Sequence, residues 1–287
     1  MTDITLPYVP AGRLTRLARG ALANPGLVAA ILVLGAVAVA AAWPQLFTPL
    51  DPLRGRGAER LLAPSAAHLF GTDQLGRDLF TRVVYGAAES VKAVFVAVFI
   101  GLLAGSAIGL IAGYVGRWVD DVLMRIVDVL LSVPPLLIAL AVISALGFGT
   151  ANIAIAVGIG FVSSFARVMR AEVLKVRETA YVEATAFAGI GPLRVLLRHV
   201  LPNAVGPVLV LAALDLGMAI LSVSALSFLG FGAPPPAPEW GLLVAGGRDY
   251  LATAWWLTTL PGLVVLATVL SANRIARALD GRRHATF

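Results

Sequence analysis

The chain has 287 residues, 59% of them apolar and 13% charged, with a mean hydropathy of +0.90. Soluble domains run at about 45–50% apolar, even counting Gly, and about 25% charged; this composition excludes a soluble domain with one anchor and defines an all-α polytopic membrane protein. The absence of cysteine excludes a disulfide framework, a thiolate metal site and a cysteine nucleophile, and the net charge of +6 is nearly all Arg. Because that charge flanks apolar runs, it reports topology and not nucleic-acid binding.

Residues 1–25 carry Arg13, Arg16 and Arg19 and precede an apolar run over 26–43 long enough to cross a bilayer. The arginines place the N-terminal leader in the cytoplasm. A cleaved signal peptide is the competing reading, since Ala38-Val39-Ala40 resembles a cleavage site. The long leader and the interfacial Trp43-Pro44 favour a first span. Residues 44–90 form the longest polar segment, external in this topology. It ends in Gly71-Thr72-Asp73-Gln74-Leu75-Gly76-Arg77-Asp78. Leu75, Leu79, Phe80, Val83 and Val84 then mark one apolar face, which predicts a solvated interfacial helix with a structural role, leading into the next span.

The remaining spans fall within 91–278. Ala93 to Gly116 carries no charge and is the second span; Asp120, Asp121 and Arg125 cover a short inner turn. No charge lies between Val129 and Ala166, which is too long for one helix and predicts two short spans turning at 147–152. Pro134-Pro135 predicts a kink in the third span, since proline removes a backbone hydrogen bond. Asp128 is expected to contact Arg125 or a neighbouring helix, with a pathway or intersubunit polar contact as the alternative. Arg167, Arg170, Lys175, Arg177, Arg194 and Arg198 make the densest short basic region, which places it in the cytoplasm.

Within that region, residues 178–203 interrupt the apolar chain. Ala184, Ala186 and Ala188 favour helix, Gly189 stops it through a left-handed cap, and Pro192 suits the first turn of a second helix. Arg194 and Arg198 share a face four residues apart, and the apolar chain resumes at Leu201-Pro202. Two helices joined at a hinge and projecting into water form a docking handle for another protein. Val205 to Gly230 is the fifth span, with one charge at Asp215. A central Asp costs about 2.5–3.5 kcal/mol on the insertion scale, and roughly a dozen aliphatic residues and Phe returning about 0.3–0.6 kcal/mol each still insert the segment. Asp215 must face protein or water, as a pathway residue or as a contact with a partner subunit. The loop holding Pro234-Pro235-Pro236 and Glu239-Trp240 is rigid and interfacial, suited to contacting a protein at the outer face through Pro235, Glu239 and Trp240. Leu251 to Asn273 is the sixth span, and Arg274, Arg277, Arg282 and Arg283 hold the 279–287 tail inside, so both termini are cytoplasmic.

Glu183-Ala184-Thr185, Gly189 and Leu201-Pro202 resemble, in spacing, the EAA loop of bacterial ABC-importer permeases, with Thr185 and His199 departing from its pattern. The Arg198–Asn203 ending, the Gly71–Asp78 stretch and the Ser227–Gly241 stretch are similar to the peptide/nickel branch of that family. The resemblance implies the type I ABC importer transmembrane-domain fold with six helices, in the bacterial cytoplasmic membrane. It implies the second permease subunit of a dipeptide or oligopeptide system, with nickel chelates, opines or glutathione as alternative cargo. Implied partners are a paralogous permease, two ATPase subunits carrying ATP and Mg, and an extracytoplasmic binding protein. The resemblance gives the ATPase-coupling role to Glu183, Ala184, Gly189, Arg194, Arg198, Leu201 and Pro202.

Chemistry of its own is not expected in this chain. There is no GxxxxGK[ST] loop to cradle a nucleotide, and His68, His199 and His284 show no metal-binding spacing. No nucleophile is paired with a base, and no inverted repeat or ion-coupling cluster suggests a secondary transporter.

Overall fold

The computed structural model describes residues 24–280; the expectations for the leader and for the end of the tail lie outside them. Apolar runs fold into helices because a bilayer leaves backbone groups no other partner. α1 spans Pro25–Ala42, α2 Leu79–Val115, α3 Arg117–Ser132, α4 Pro135–Leu146 and α5 Thr150–Arg177. α6 (Ala180–Phe187) and α7 (Pro192–Val195) follow, then α8 (Leu201–Phe228), α9 (Trp240–Gly247) and α10 (Trp256–Asp280). Five helices are long and apolar enough to cross a membrane, or six where the bent pair α3–α4 counts as one span. This is a multi-pass membrane protein.

α2 and α5 form the most extensive helix pair. Gly101, Gly105, Gly109 and Gly113 recur every four residues on the face of α2 that meets α5. A Cβ at Gly105 would lie 2.5 Å from the Val162 carbonyl oxygen, and one at Gly109 2.2 Å from that of Ala166. The glycines let the two backbones touch, which is how helices associate where lipid gives no hydrophobic drive. Successive glycines meet Phe161, Phe165, Met169 and Val173, so the two helices run parallel.

Parallel α2 and α5 require the chain between them to return to the opposite end. α3 and α4 make that return with a 95° bend at Pro134, where a kink alone is expected from sequence. α3 is a 16-residue helix where the sequence suggests a short turn. It crosses α5 steeply. Asp120 pairs with Arg170 and Asp128 with Arg167, so about 12 Å along α3 matches about 4.5 Å along α5.

The second span and the helix before it are one 37-residue helix, about 55 Å long. Its first turns are not a solvated interfacial helix: Leu79, Val83 and Val84 are buried against the protein. The last span begins at Trp256 and not near Leu251, because residues 248–250 form a separate 3-10 turn and the Trp256 Nε1–H donates to the Thr72 carbonyl at 3.3 Å.

Candidate functional site

The elbow is built as its sequence suggests. α6 follows α5 after one turn, with the Thr179 carbonyl accepting from Val182 and Glu183 N–H. Gly189 takes φ +74°, a conformation that L side chains rarely adopt, and no atom lies near the space a Cβ would fill; only the backbone requires glycine there. Pro192 opens α7 at a position that needs no N–H donor. α7 does not stop. It runs through a π turn over Leu196–Val200 into α8, so the second elbow helix and the next span are continuous. The π turn places its extra residue just before Pro202, whose missing N–H breaks the regular ladder. The carbonyl of His199 then accepts from the Asn203 side chain at 2.7 Å and from the Tyr181 hydroxyl at 3.4 Å.

Val182, Val195 and Val200 are buried and seat the elbow against the bundle. Its other face is open. Phe187 is 91% exposed, and Leu193 and Leu197 are exposed as well. Glu183, Ala184, Arg194, Arg198 and Pro202 are exposed, and Leu201 is half-buried. Neither Glu183 nor either arginine forms an ion pair with a described residue. Sequence reading missed Phe187, although an apolar residue two places before a helix-ending glycine is a visible signal. Behind the elbow lies a cleft of about 470 Å³ lined by Tyr114, Arg177, Val182, Glu183, Ile190, Pro192 and Val195. The Tyr114 hydroxyl donates to the Pro192 carbonyl at 2.6 Å, and Arg177 donates to the carbonyls of Gly113 and Tyr114 at the end of α2.

The opposite end of the bundle is a cap built around charges that are buried rather than solvated. Asp73, 4% exposed, accepts from the Arg77 Nε at 2.6 Å and from the backbone N–H groups of Leu75 and Arg77. Arg82, also 4% exposed, lies 3.7 Å from Asp73 and donates to the carbonyls of Pro52 and Pro236. Asp78 caps α2 by accepting from the Thr81 N–H at 2.7 Å, and His68 holds its other oxygen at 2.9 Å. Sequence reading assigned this stretch a structural role but placed it in water.

The Pro-rich loop differs from expectation in the same way. Pro235 is exposed, but Glu239 is 0% and Trp240 1% exposed, so neither side chain faces outward to meet another protein. Glu239 caps α9 by accepting from Gly241 and Leu242 N–H, both at 3.0 Å, and Trp240 Nε1–H donates to the Val83 carbonyl at 2.9 Å. Burial pushes the Glu239 carboxyl above the usual range, against the hydrogen bonds that favour its charged form.

Asp128 pairs with Arg167 at 2.9 Å on an exposed surface, which joins α3 to a neighbouring helix rather than to Arg125. Asp215 is half-buried in α8, and its Oδ2 is buried with no partner among the described residues. No cluster of metal-ligating side chains occurs among the described residues.

Solved structures share this arrangement. An inward-facing MetNI methionine ABC transporter matches 69% of this chain and 96% of its own at TM-score 0.53 and 21% identity. A crystal structure of an amino acid ABC transporter matches 71% of this chain and 94% of its own at TM-score 0.56 and 16% identity. The fold is therefore that of type I ABC importer transmembrane domains. Residues 105–284 match the model of binding-protein-dependent transport system inner membrane components, and the chain belongs to that family. It is 39% identical, over 91% of its length and 85% of the relative's, to the dipeptide transport system permease protein DppC of Alkalihalophilus pseudofirmus. It is 37% identical, over 90% of its length and 85% of the relative's, to the glutathione transport system permease protein GsiD of Pectobacterium atrosepticum. The probable D,D-dipeptide transport system permease protein DdpC of Escherichia coli is 41% identical over 75% of this chain and 72% of its own.

Proposed function

We propose that this chain is one of two paralogous permease subunits of a di- or oligopeptide importer in the bacterial inner membrane, driven by ATP hydrolysis on separate subunits. The observation that carries the reading is the elbow: two helical arms at a left-handed glycine, an exposed phenylalanine, and three charged side chains without ion-pair partners among the described residues. Such a surface suits an apolar anchor in a pocket with a polar rim, the anatomy of a protein interface. Its basic surroundings put it in the cytoplasm, where ATP is.

In this mechanism two ATPase subunits close on ATP, and a groove on one of them carries the elbow with it. Phe187 and Leu193 supply the apolar contact, Glu183, Arg194 and Arg198 the polar one, and Gly189 sets the angle between the arms. Displacement of the elbow rocks the spans and opens the pathway towards an external binding protein. Asp215 either lines that pathway or meets the second permease, since its buried Oδ2 has no partner among the described residues. Peptide cargo rests on the dipeptide permeases among the relatives, and the glutathione permease extends the class to peptide-like solutes.

The test is a mild-detergent pull-down of the tagged chain from its host, read by mass spectrometry. Recovery of a second permease and of ATPase subunits is expected; a chain that purifies alone and transports without ATP contradicts the reading.

A further inference from the structure

α2 touches both functional ends of the molecule. At its inner end the Tyr114 hydroxyl holds the first carbonyl of the second elbow arm at 2.6 Å. At its outer end it meets the segment 236–240 turn by turn. Arg82 donates to the Pro236 carbonyl, and the Val83 carbonyl accepts from Trp240 Nε1–H. Gly86 leaves room for the Pro238 carbonyl, which would lie 1.8 Å from a Cβ there. Ser90 accepts from the Trp240 N–H at 3.2 Å and donates to Glu239 at 3.4 Å. The helix between these joints is unbroken over Leu79–Val115 and contains no proline, so Val83 and Tyr114 sit on one rod about 46 Å apart.

Two further features make the rod stiff. Its glycine face lies so close to α5 that Phe161, Phe165, Met169 and Val173 pack directly on its backbone, and a seam packed this tightly transmits strain. α5 itself leads into the first elbow arm after one turn. The elbow is thus held at both arms by a single unit: α5 continues into α6, and α2 grips α7 through Tyr114. The exposed Pro235 sits one residue before the point where Arg82 takes hold of the outer segment.

We propose that α2 is the strut by which the elbow and the outer proline segment exchange displacement, with Tyr114 as its inner positioning residue and the Trp240–Val83 hydrogen bond as its outer joint. The inference rests on the coupling role of the elbow. When the ATPases move the elbow, the Tyr114 bond moves α2 with it, and the 236–240 segment shifts at the face where a binding protein would dock. The reverse also follows: a protein docked on Pro235 biases the position of the elbow, because coupling between two sites is reciprocal.

The experiment is a double-mutant cycle in the complete transporter, reconstituted with its partner subunits in vesicles. Tyr114→Phe and Trp240→Phe each remove one hydrogen bond and keep an aromatic ring. The readout is the ratio of ATPase rate with and without the cargo-loaded binding protein, together with cargo taken up per ATP hydrolysed. Each single variant is expected to lower that ratio at least about fivefold, the lower end of ordinary inter-site coupling, and the double variant is expected to do no more. Losses that multiply in the double variant show two independent local roles and overturn the strut, as does an unchanged ratio in both single variants. If Trp240→Phe impairs assembly, Ser90→Ala opens the same outer joint and takes its place in the cycle. Gly189→Pro, run alongside, separates the two claims. Full uptake by it removes the elbow's coupling role, whereas its failure together with multiplicative losses removes the strut alone.

Discussion

Asp73 holds two arginines in the cap at the end opposite the elbow. It accepts from Arg77 and lies beside Arg82, and all three are buried. Replacing Asp73 by Asn keeps the shape and leaves two buried cations facing each other. Breaking a buried pair in this way costs about 3–5 kcal/mol, so Asp73→Asn is expected to lower the thermal midpoint of the purified chain sharply, measured by unfolding in detergent. Glu239 offers a second check through pH. Its folded pKa is raised by burial, so the folded state binds the proton more tightly than the unfolded one. The stability it contributes is full below the unfolded pKa and is lost as pH rises through the folded value. Glu239→Gln is expected to flatten that part of the pH–stability profile, read from chemical denaturation between about pH 4 and pH 8; an unchanged slope contradicts the assignment. Sequence reading singled out the Gly71–Asp78 stretch, which holds Asp73, Arg77 and Asp78, as having a structural role. Their burial was not legible, because it depends on Pro52 and Pro236, 30 and 154 residues from Arg82.

Elements divide by whether their signal is local. The elbow was legible because its turn chemistry is local: a left-handed glycine, a first-turn proline and an alanine-rich arm need no distant partner. α3 was not legible as a helix, because its acids read as a turn until Arg167 and Arg170 of α5 are seen to face them. The join of the helix that starts at Leu79 to the second span was hidden by Arg82, Glu89 and Lys92, charges that suggest water when their partners are unknown. The α2–α5 seam gives a sharp expectation at this scale. Gly109→Leu puts a side chain where a Cβ alone would meet the Ala166 carbonyl oxygen at 2.2 Å. Overpacking of this kind costs about 1–3 kcal/mol and forces the helices apart, which should appear as a lower unfolding midpoint. The same substitution at Gly35, with nothing within 4 Å of its Cβ position, is expected to be neutral. At the elbow, Gly189→Pro is expected to abolish uptake while membrane insertion stays normal, because φ of +74° lies outside proline's range.

The whole molecule is organised by two ends and the parallel pair that joins them. One end is a cap holding buried ions with Trp240 and Trp256, and the other is an elbow that exposes Phe187, Leu193 and Leu197. A bundle that buries charge at one end and exposes Phe187 at the other suits a subunit that works inside an assembly. Family membership and the relatives' names give the assembly its class, while energy coupling and cargo are the claims that require measurement. The most direct one is uptake of a labelled dipeptide into vesicles that hold this chain with its partner permease, ATPases and binding protein. Uptake is expected to require ATP hydrolysis and to be lost in Gly189→Pro. Uptake that proceeds without ATP on an ion gradient, or that is unchanged in Gly189→Pro, would contradict an ATPase-coupled permease.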